Sequence, residues 1–316
     1  MTGLTKRSFL GSAALVAASC ASATRAPFFA SRNLPLGIQL YTLGEMVRED
    51  FAGAMRAISK IGYQSVQLAG FHGHTPAQIL AAIEAAGLDC PSAHIAPQLR
   101  AGEPSLNGDV GRLAEDLRRI GVRQVITPVF LVPDRIDGAT RTDETRGQAL
   151  ARVARQLEPD DWRRNADFLN KKGIALRREG LGIGYHNHNA EFAPFPDGET
   201  GLSLLMANTD PDIVSFELDA GWAVMAGAQP EYLLSRFPAR ITHVHVKDVR
   251  ADTQPNFEFR QSSVEIGSGV IDWSTLLPAF FAAGVRTFTV EQDPPFTRSR
   301  LEAVSLSFDF LSSIRV

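Results

Sequence analysis

Seven histidines occur in the 316-residue chain: His72, His74, His94, His186, His188, His243 and His245. Each falls in a loop or at an end of an expected strand. Four expected strand ends carry metal-ligand types in chain order. They are His186 in Gly184-Tyr185-His186-Asn187-His188, Asp219 in Glu217-Leu218-Asp219, His245 in His243-Val244-His245-Val246-Lys247-Asp248, and Glu291 in Thr289-Val290-Glu291-Gln292. Mixed imidazole and carboxylate donors suit one divalent metal, with Mn²⁺, Zn²⁺, Fe²⁺ and Co²⁺ all compatible. The alternative for a strand-end acid is that it caps the next helix, and this is the reading taken for Asp248 and Asp272. It is rejected for Asp219 and Glu291, because each ends an apolar strand where a lone buried charge is costly unless paired or metal-bound. For His72, His74 and His243 the plain reading, a structural histidine with its hydrogen bonds satisfied, carries at least equal weight.

Bringing four strand ends together requires a particular architecture. Short apolar or β-branched runs are expected as strands near Leu36–Tyr41, Ser65–Ala69, Asp89–His94, Gln124–Pro128, Gly182–His186, Val214–Asp219, Thr242–Val246 and Thr287–Glu291. Between and after them, Phe51–Ile61, Pro76–Ala86, Asp109–Ile120, Asp160–Glu179, Gly201–Ala207, Pro230–Ser235, Ser274–Ala283 and Arg298–Ser312 carry apolar residues at helical spacing. Strictly alternating strands and helices imply a parallel sheet with crossover helices. Eight strands close a single (β/α)8 barrel over residues 34–316, whose active-site face is the rim at the C-terminal ends of the strands. Helix ends are repeatedly punctuated by glycine, at Gly62, Gly87, Gly121, Gly180 and Gly284, as expected for the left-handed residue that stops a helix. Leu131–Leu157 carries no strand signal and reads as a long loop or a helical lid over the site.

The apolar fraction of 44% with 21% charged residues belongs to a globular chain with a sizeable core. A net charge of −3 without any dense basic block gives no reason to expect nucleic acid as a partner, and favours a small molecule. Residues 1–26 read as an export signal: a basic start at Lys6-Arg7, an apolar run from Leu10 to Ala18 too short to span a bilayer, and Ala21-Ser22-Ala23 as the exit. The start resembles a twin-arginine signal with Lys6 in place of the first arginine, which implies a periplasmic location. Cys20 after Ala17-Ala18-Ser19 offers lipoprotein-type anchoring as an alternative. With Cys20 removed or lipidated, Cys90 stands alone and no internal disulfide forms. Assembly of identical copies is compatible with the sequence.

Four segments carry a family resemblance: Gly184 to Phe192 (GYHNHNAEF), Leu218 to Pro230 (LDAGWAVMAGAQP), Thr242 to Val249 (THVHVKDV) and Thr289 to Asp293 (TVEQD). With Leu36 to Thr42 and Gly62 to Gln67, they make the chain similar to the sugar phosphate isomerase/epimerase family of xylose isomerase-like barrels. The resemblance implies a divalent metal held by a carboxylate at the fifth strand and by Asp, His and Glu at the sixth, seventh and eighth. Asp219, His245 and Glu291 match the last three, and His186 stands where the epimerases carry glutamate. That departure puts the two-glutamate proton exchange in doubt.

The reaction expected of this set is proton abstraction beside a polarised carbonyl. Glu291 is the expected base, with His188 or Glu191 carrying the second proton. Lys247 is expected to point away from the His245 face, and either reaches the substrate through its loop or pairs with Asp248. Trp222 and Phe71 could wall a sugar ring, although a Trp after a strand is more often core. The leading reading is an isomerase or epimerase of a free sugar or keto-sugar. A keto-sugar or keto-glycoside lyase or dehydratase is the alternative, favoured by His186. A sugar-binding protein without catalysis comes third, and a phosphodiester nuclease fails for want of the further ligands of a trinuclear zinc site.

Overall fold

The computed structural model describes residues 26–98 and 102–316. The export-type segment to residue 25, with Cys20, lies outside the described residues. Eight parallel strands close into one barrel: β1 (Leu36–Gln39), β2 (Ser65–Ala69), β3 (Asp89–His94), β4 (Gln124–Thr127), β5 (Gly182–His186), β6 (Val214–Asp219), β7 (Ile241–Val246) and β8 (Thr287–Val290). Each pairs with its chain neighbours, and β8 closes on β1 through Leu36 opposite Phe288. The strands are short and almost wholly buried, as parallel strands covered on both faces must be.

The crossover helices are α1 (Phe51–Ile61), α2 (Pro76–Ala85), α3 (Val110–Ile120), α4 (Arg146–Ala154), α5 (Pro159–Arg178), α6 (Gly201–Asn208), α7 (Ala220–Met225), α8 (Pro230–Arg236), α9 (Trp273–Ala282) and α10 (Arg300–Ser313). Their starts follow local chemistry. Asp109 caps α3 by accepting from the Arg112 amide at 3.1 Å, and Thr75 and Thr145 form capping boxes with Gln78 and Gln148. Asp272 caps α9 as expected, accepting from the amides of Ser274 and Thr275. The five punctuating glycines all adopt positive φ, from 65° at Gly87 to 123° at Gly62. Every expected strand and helix is present to within a few residues at its ends. The excursion Leu131–Leu157 contains α4, so the lid reading holds over the loop reading.

Aromatic packing ties the N-terminal segment to the outer face of β8 and to α9. Phe28 and Phe29 are buried edge-on against Phe288, and the Phe28 amide bonds to the Ile314 carbonyl. The body therefore begins ahead of residue 34. A two-stranded antiparallel pair, Asp248–Val249 with Ser263–Val264, stands above the rim beyond β7. No described helix is long and apolar enough to cross a membrane, and the one free cysteine among the described residues, Cys90, is buried.

Candidate active site and metal centre

Period-two alternation turns one set of side chains on each strand into the barrel. On β6 these include Glu217 and Asp219, on β7 His245, on β2 Gln67 and on β1 Gln39. The inward direction is fixed by bonds that cross the interior: the Gln67 amide donates to Glu217 Oε2 at 2.6 Å, and Gln39 donates to Gln67 Oε1 at 2.5 Å. A polar layer thus floors the C-terminal rim.

Glu217 is the hub of this layer. Its Oε1 lies 2.7 Å from His94 Nε2, 3.1 Å from His186 Nδ1 and 3.0 Å from His245 Nε2. It is 1% exposed, so each contact is worth more than it would be in water. Burial lowers the His94 pKa to about 4 in spite of Glu217, so His94 donates to the carboxylate as a neutral imidazole. Burial also opposes charge on His245, but Glu217 and Glu291 outweigh it and hold its pKa well above the ordinary value.

One step closer to the rim, His186, Asp219, His245 and Glu291 present ligand atoms within 4.8 Å of one another, all buried. His245 Nδ1 is 2.8 Å from Glu291 Oε2 and 3.7 Å from Asp219 Oδ2. A second grouping, His94, His186, Glu217 and His245, shares both histidines. The two have a natural division of labour. Glu217 Oε1 accepts from His186 Nδ1, and His245 Nε2 bonds to Gln67 Oε1 at 2.7 Å with Glu217 beside it, which leaves His245 Nδ1 facing Glu291 and Asp219, the arrangement in which outer polar groups orient metal-ligating histidines. The donor set fits a divalent cation, and Asp219 Oδ2, buried without an aligned hydrogen bond, adds to the fit. So does the local charge: three buried carboxylates, Asp219, Glu291 and Asp293, face the single ammonium of Lys247.

Lys247 does not point away from this face, and it does not pair with Asp248. It follows His245 by two residues, so alternation returns it to the same side. Its fully buried Nζ lies 2.9 Å from Asp219 Oδ2, 3.0 Å from Glu291 Oε2 and 2.6 Å from Asp293 Oδ2, and 4.9 Å from the Trp222 ring. Burial disfavours the charged amine, but Asp219, Asp293 and Glu291 together hold its pKa well above the usual value. Lys247 and His245 in turn outweigh burial at Glu291, whose pKa falls well below the carboxylate norm. Asp293 is pushed up by burial to about 6, with Lys247 opposing.

Asp248 caps no helix. It is buried and accepts from the amides of Gly267, Gly269 and Ile271 and from Trp273 Nε1, tying the loop ahead of α9 to the rim. Asp219 does act as a cap, accepting from the Trp222 amide at 2.8 Å through Oδ1, while Oδ2 faces Lys247. Capping and site roles coexist there because a carboxylate has two oxygens. Gly221, in the first turn of α7, makes room for the lysine: a Cβ there would lie 2.6 Å from Lys247 Cγ and 2.8 Å from its carbonyl oxygen. Gly221→Ala is expected to displace Lys247 and cost about 1–3 kcal/mol, the range for overpacking a filled site, with a parallel loss of turnover. Denaturant titration and an activity assay of the one variant check both.

A pocket of about 310 Å³ opens above this floor, and Arg48, His72, His94, His186, His188, Trp222, Phe259, Glu291 and Asp293 contribute to its wall. Arg146, Gly147 and Leu150 of α4 line it too, which makes that helix a cover of the site. Phe71 lies outside the wall, and Phe259 takes the place expected for it beside Trp222. His188 packs against both Trp222 and Phe259, with ring centroids 5.2 and 4.9 Å away. Burial, helped by His186 and Lys247, pushes its pKa well below the ordinary value. Glu191 stands behind it, Oε1 3.9 Å from His188 Nδ1 and 2.8 Å from the Tyr185 hydroxyl that donates to it. His74 and His243 have the plain roles allowed for them, bonding to the Val47 carbonyl and to Thr242 Oγ1.

Burial raises the Glu191 pKa from 4.5 to about 7, against the lowering effect of the Tyr185 hydrogen bond. A carboxyl held more strongly protonated in the folded state than in the unfolded one makes the fold lose stability as pH rises between those two values. Glu191→Gln removes this penalty while keeping an acceptor for Tyr185. Its stability relative to the parent is expected to grow from little at pH 4.5 to on the order of 1–3 kcal/mol above pH 7, read from unfolding curves across that range.

Glu217, Gln67 and Asp293 were missed by sequence reasoning. Counting back two from Asp219, and forward two from Glu291, would have placed Glu217 and Asp293 on the inner face. Gln67 carries no chemical signal of its own.

The xylose isomerase-like TIM barrel family model matches residues 55–313. An inosose dehydratase from Lacticaseibacillus casei is 31% identical over 149 residues, 43% of this chain and 49% of that protein. Inosose dehydratase 2 from Bacillus cereus is 36% identical over 93 residues, 29% of this chain and 30% of that protein. The match thus spans less than half the length of these curated relatives. Among solved structures, a sugar phosphate isomerase/epimerase from Parabacteroides distasonis superposes with a TM-score of 0.68 at 23% identity, over 88% of this chain and 97% of that one. A 3-keto-D-glucoside 4-epimerase from E. coli gives 0.61 at 16% identity, over 89% of this chain and all of the other. With its closed eight-stranded barrel and a family match across most of its length, this chain belongs to the xylose isomerase-like TIM barrel family.

Proposed function

We propose that the chain is a metal-dependent isomerase or epimerase of a sugar or keto-sugar that works by proton abstraction next to a carbonyl. The observation that carries this reading is the placement of two proton-carrying groups on different walls of one pocket, Glu291 at the end of β8 and His188 beyond β5. His186, Asp219, His245 and Glu291 would hold the divalent ion. When bound, such an ion supplies Lewis-acid polarisation of a substrate oxygen.

The remaining steps belong to the chain. Glu291 stays ionised beside Lys247 and His245 and accepts the proton from carbon. Lys247 keeps that carboxylate in place and offsets the charge around it. His188, a neutral imidazole at working pH, exchanges a proton on its own wall, with Glu191 as the group next in line. Trp222 and Phe259 give the sugar ring an apolar face and keep water from the reacting carbon.

A second reading, elimination by a keto-sugar dehydratase or lyase, is favoured by His186 in place of a carboxylate and by curated relatives named as inosose dehydratases. Incubation of metal-loaded protein with keto-sugars in D₂O separates the two. Epimerisation or isomerisation gives a product that carries deuterium and keeps its carbon skeleton and oxygens, whereas elimination gives a product lighter by a molecule of water or by a leaving sugar. Absence of both products and of any solvent exchange would overturn the proposal and leave a binding protein.

Residues 1–26 fit an export segment in this reading, and the protein works in the periplasm. Deletion of Met1 to Ala23 is expected to leave a folded, active protein in the cytoplasm, since the barrel closes entirely within the described residues. Fractionation and an activity assay check this, and loss of folding would contradict it.

A further inference from the structure

A second cavity of about 320 Å³, as large as the first, lies beside the active-site pocket. The two adjoin at Gln261, which stands in the wall of both. They are also joined through the chain beyond β8: Glu291 and Asp293 line the first pocket, while Gln292 between them lines the second.

The wall of the second cavity is polar and has no excess charge of its own. Ser262, Ser263 and Thr297 bring hydroxyls, and Gln261 and Gln292 bring amides. Arg250 is already held by Asp252 through two contacts of 2.8 Å, so its charge is matched inside the wall and does not ask for an anion. Gln292 is 2% exposed and its Oε1 has no hydrogen-bond partner. Buried acceptors of this kind are normally satisfied, and the residue that carries this one stands in the wall of the second cavity. Hydroxyls, amides and a paired Arg–Asp couple are the groups that recognise an uncharged polyhydroxylated molecule.

We propose that this cavity is a subsite for a second sugar or polyol unit attached to the reacting one, so that the substrate is a glycoside or disaccharide rather than a free monosaccharide. The identity of the unit in the first pocket rests on the function proposed above; the second cavity's preference for a hydroxyl-rich group does not.

Binding is the direct test, because it is read without turnover. Isothermal titration of the full protein compares glucose with methyl glucoside and with the disaccharides cellobiose, maltose and sucrose. At least one disaccharide is expected to bind tenfold or more tightly than glucose. Ser262→Trp and Thr297→Trp, which fill the cavity from two sides and touch no group assigned to the chemistry, are expected to erase that advantage and leave glucose binding unchanged. An advantage below tenfold in the parent protein overturns the proposal, as does one that survives both variants or disappears only together with glucose binding. A failed D₂O exchange experiment with an intact disaccharide advantage would sink the isomerase reading and spare the subsite.

Discussion

Glu291→Gln is expected to lower turnover by 10²- to 10⁴-fold, the usual consequence of removing a positioned proton acceptor, while substrate binding changes far less. The amide keeps the shape and one ligating oxygen but accepts no proton. The surroundings give this expectation its force. Lys247 Nζ and His245 Nδ1 hold the Glu291 carboxylate at 3.0 and 2.8 Å, so the group sits ionised at the pocket wall before any substrate arrives. His186→Ala should behave differently, because the role proposed for His186 is ligation without proton transfer. It is expected to weaken metal affinity and to recover turnover with excess metal. Turnover and metal content measured together on both variants separate base from ligand. Near-normal turnover of Glu291→Gln with metal bound would move the base to His188 or Glu191.

Lys247→Met is expected to have the largest effect on stability, a loss of about 3–5 kcal/mol, the range for removing one partner from a buried ion pair. The methionine would leave Asp219, Glu291 and Asp293 facing one another without their only ammonium in a fully buried position. A divalent cation bound by two of these carboxylates, Asp219 and Glu291, would replace part of the missing charge. The variant should therefore gain more stability from added metal than the parent does, as ligand linkage requires of a site bound only in the folded state. Thermal unfolding with and without Mn²⁺ reads both effects, and a variant as stable as its parent without metal would contradict the charge account.

The sequence disclosed the barrel because its units repeat the same local logic, a buried run of strand followed by a helix, with a glycine stop in five of them. It disclosed His186, Asp219, His245 and Glu291 because their chemistry stands out at the ends of apolar runs. Lys247 was misplaced although the information was present, since two residues from His245 is one full strand period. Glu217 was hidden for a related reason: a neighbouring acid, Asp219, already accounted for the carboxylate at that strand end. Gln67 and the second cavity were beyond sequence reasoning in a stronger sense. Gln67 acts across the barrel on β6 and β7, and the cavity is assembled from the segment after β7 and the segment after β8. Contacts of that range depend on the closed barrel and leave no local pattern.

Of the two overlapping ligand groups, the one with Asp219 and Glu291 is the proposed seat of the divalent ion. Anomalous diffraction from crystals loaded with Mn²⁺ tests it most directly. The expected result is a single strong peak within roughly 2.0–2.3 Å of His186, Asp219, His245 and Glu291, the scale of metal bonds to nitrogen and oxygen donors, with Glu217 behind His186 and Gln67 behind His245. A peak seated instead between His94 and Glu217, or no peak at full metal loading, would contradict it.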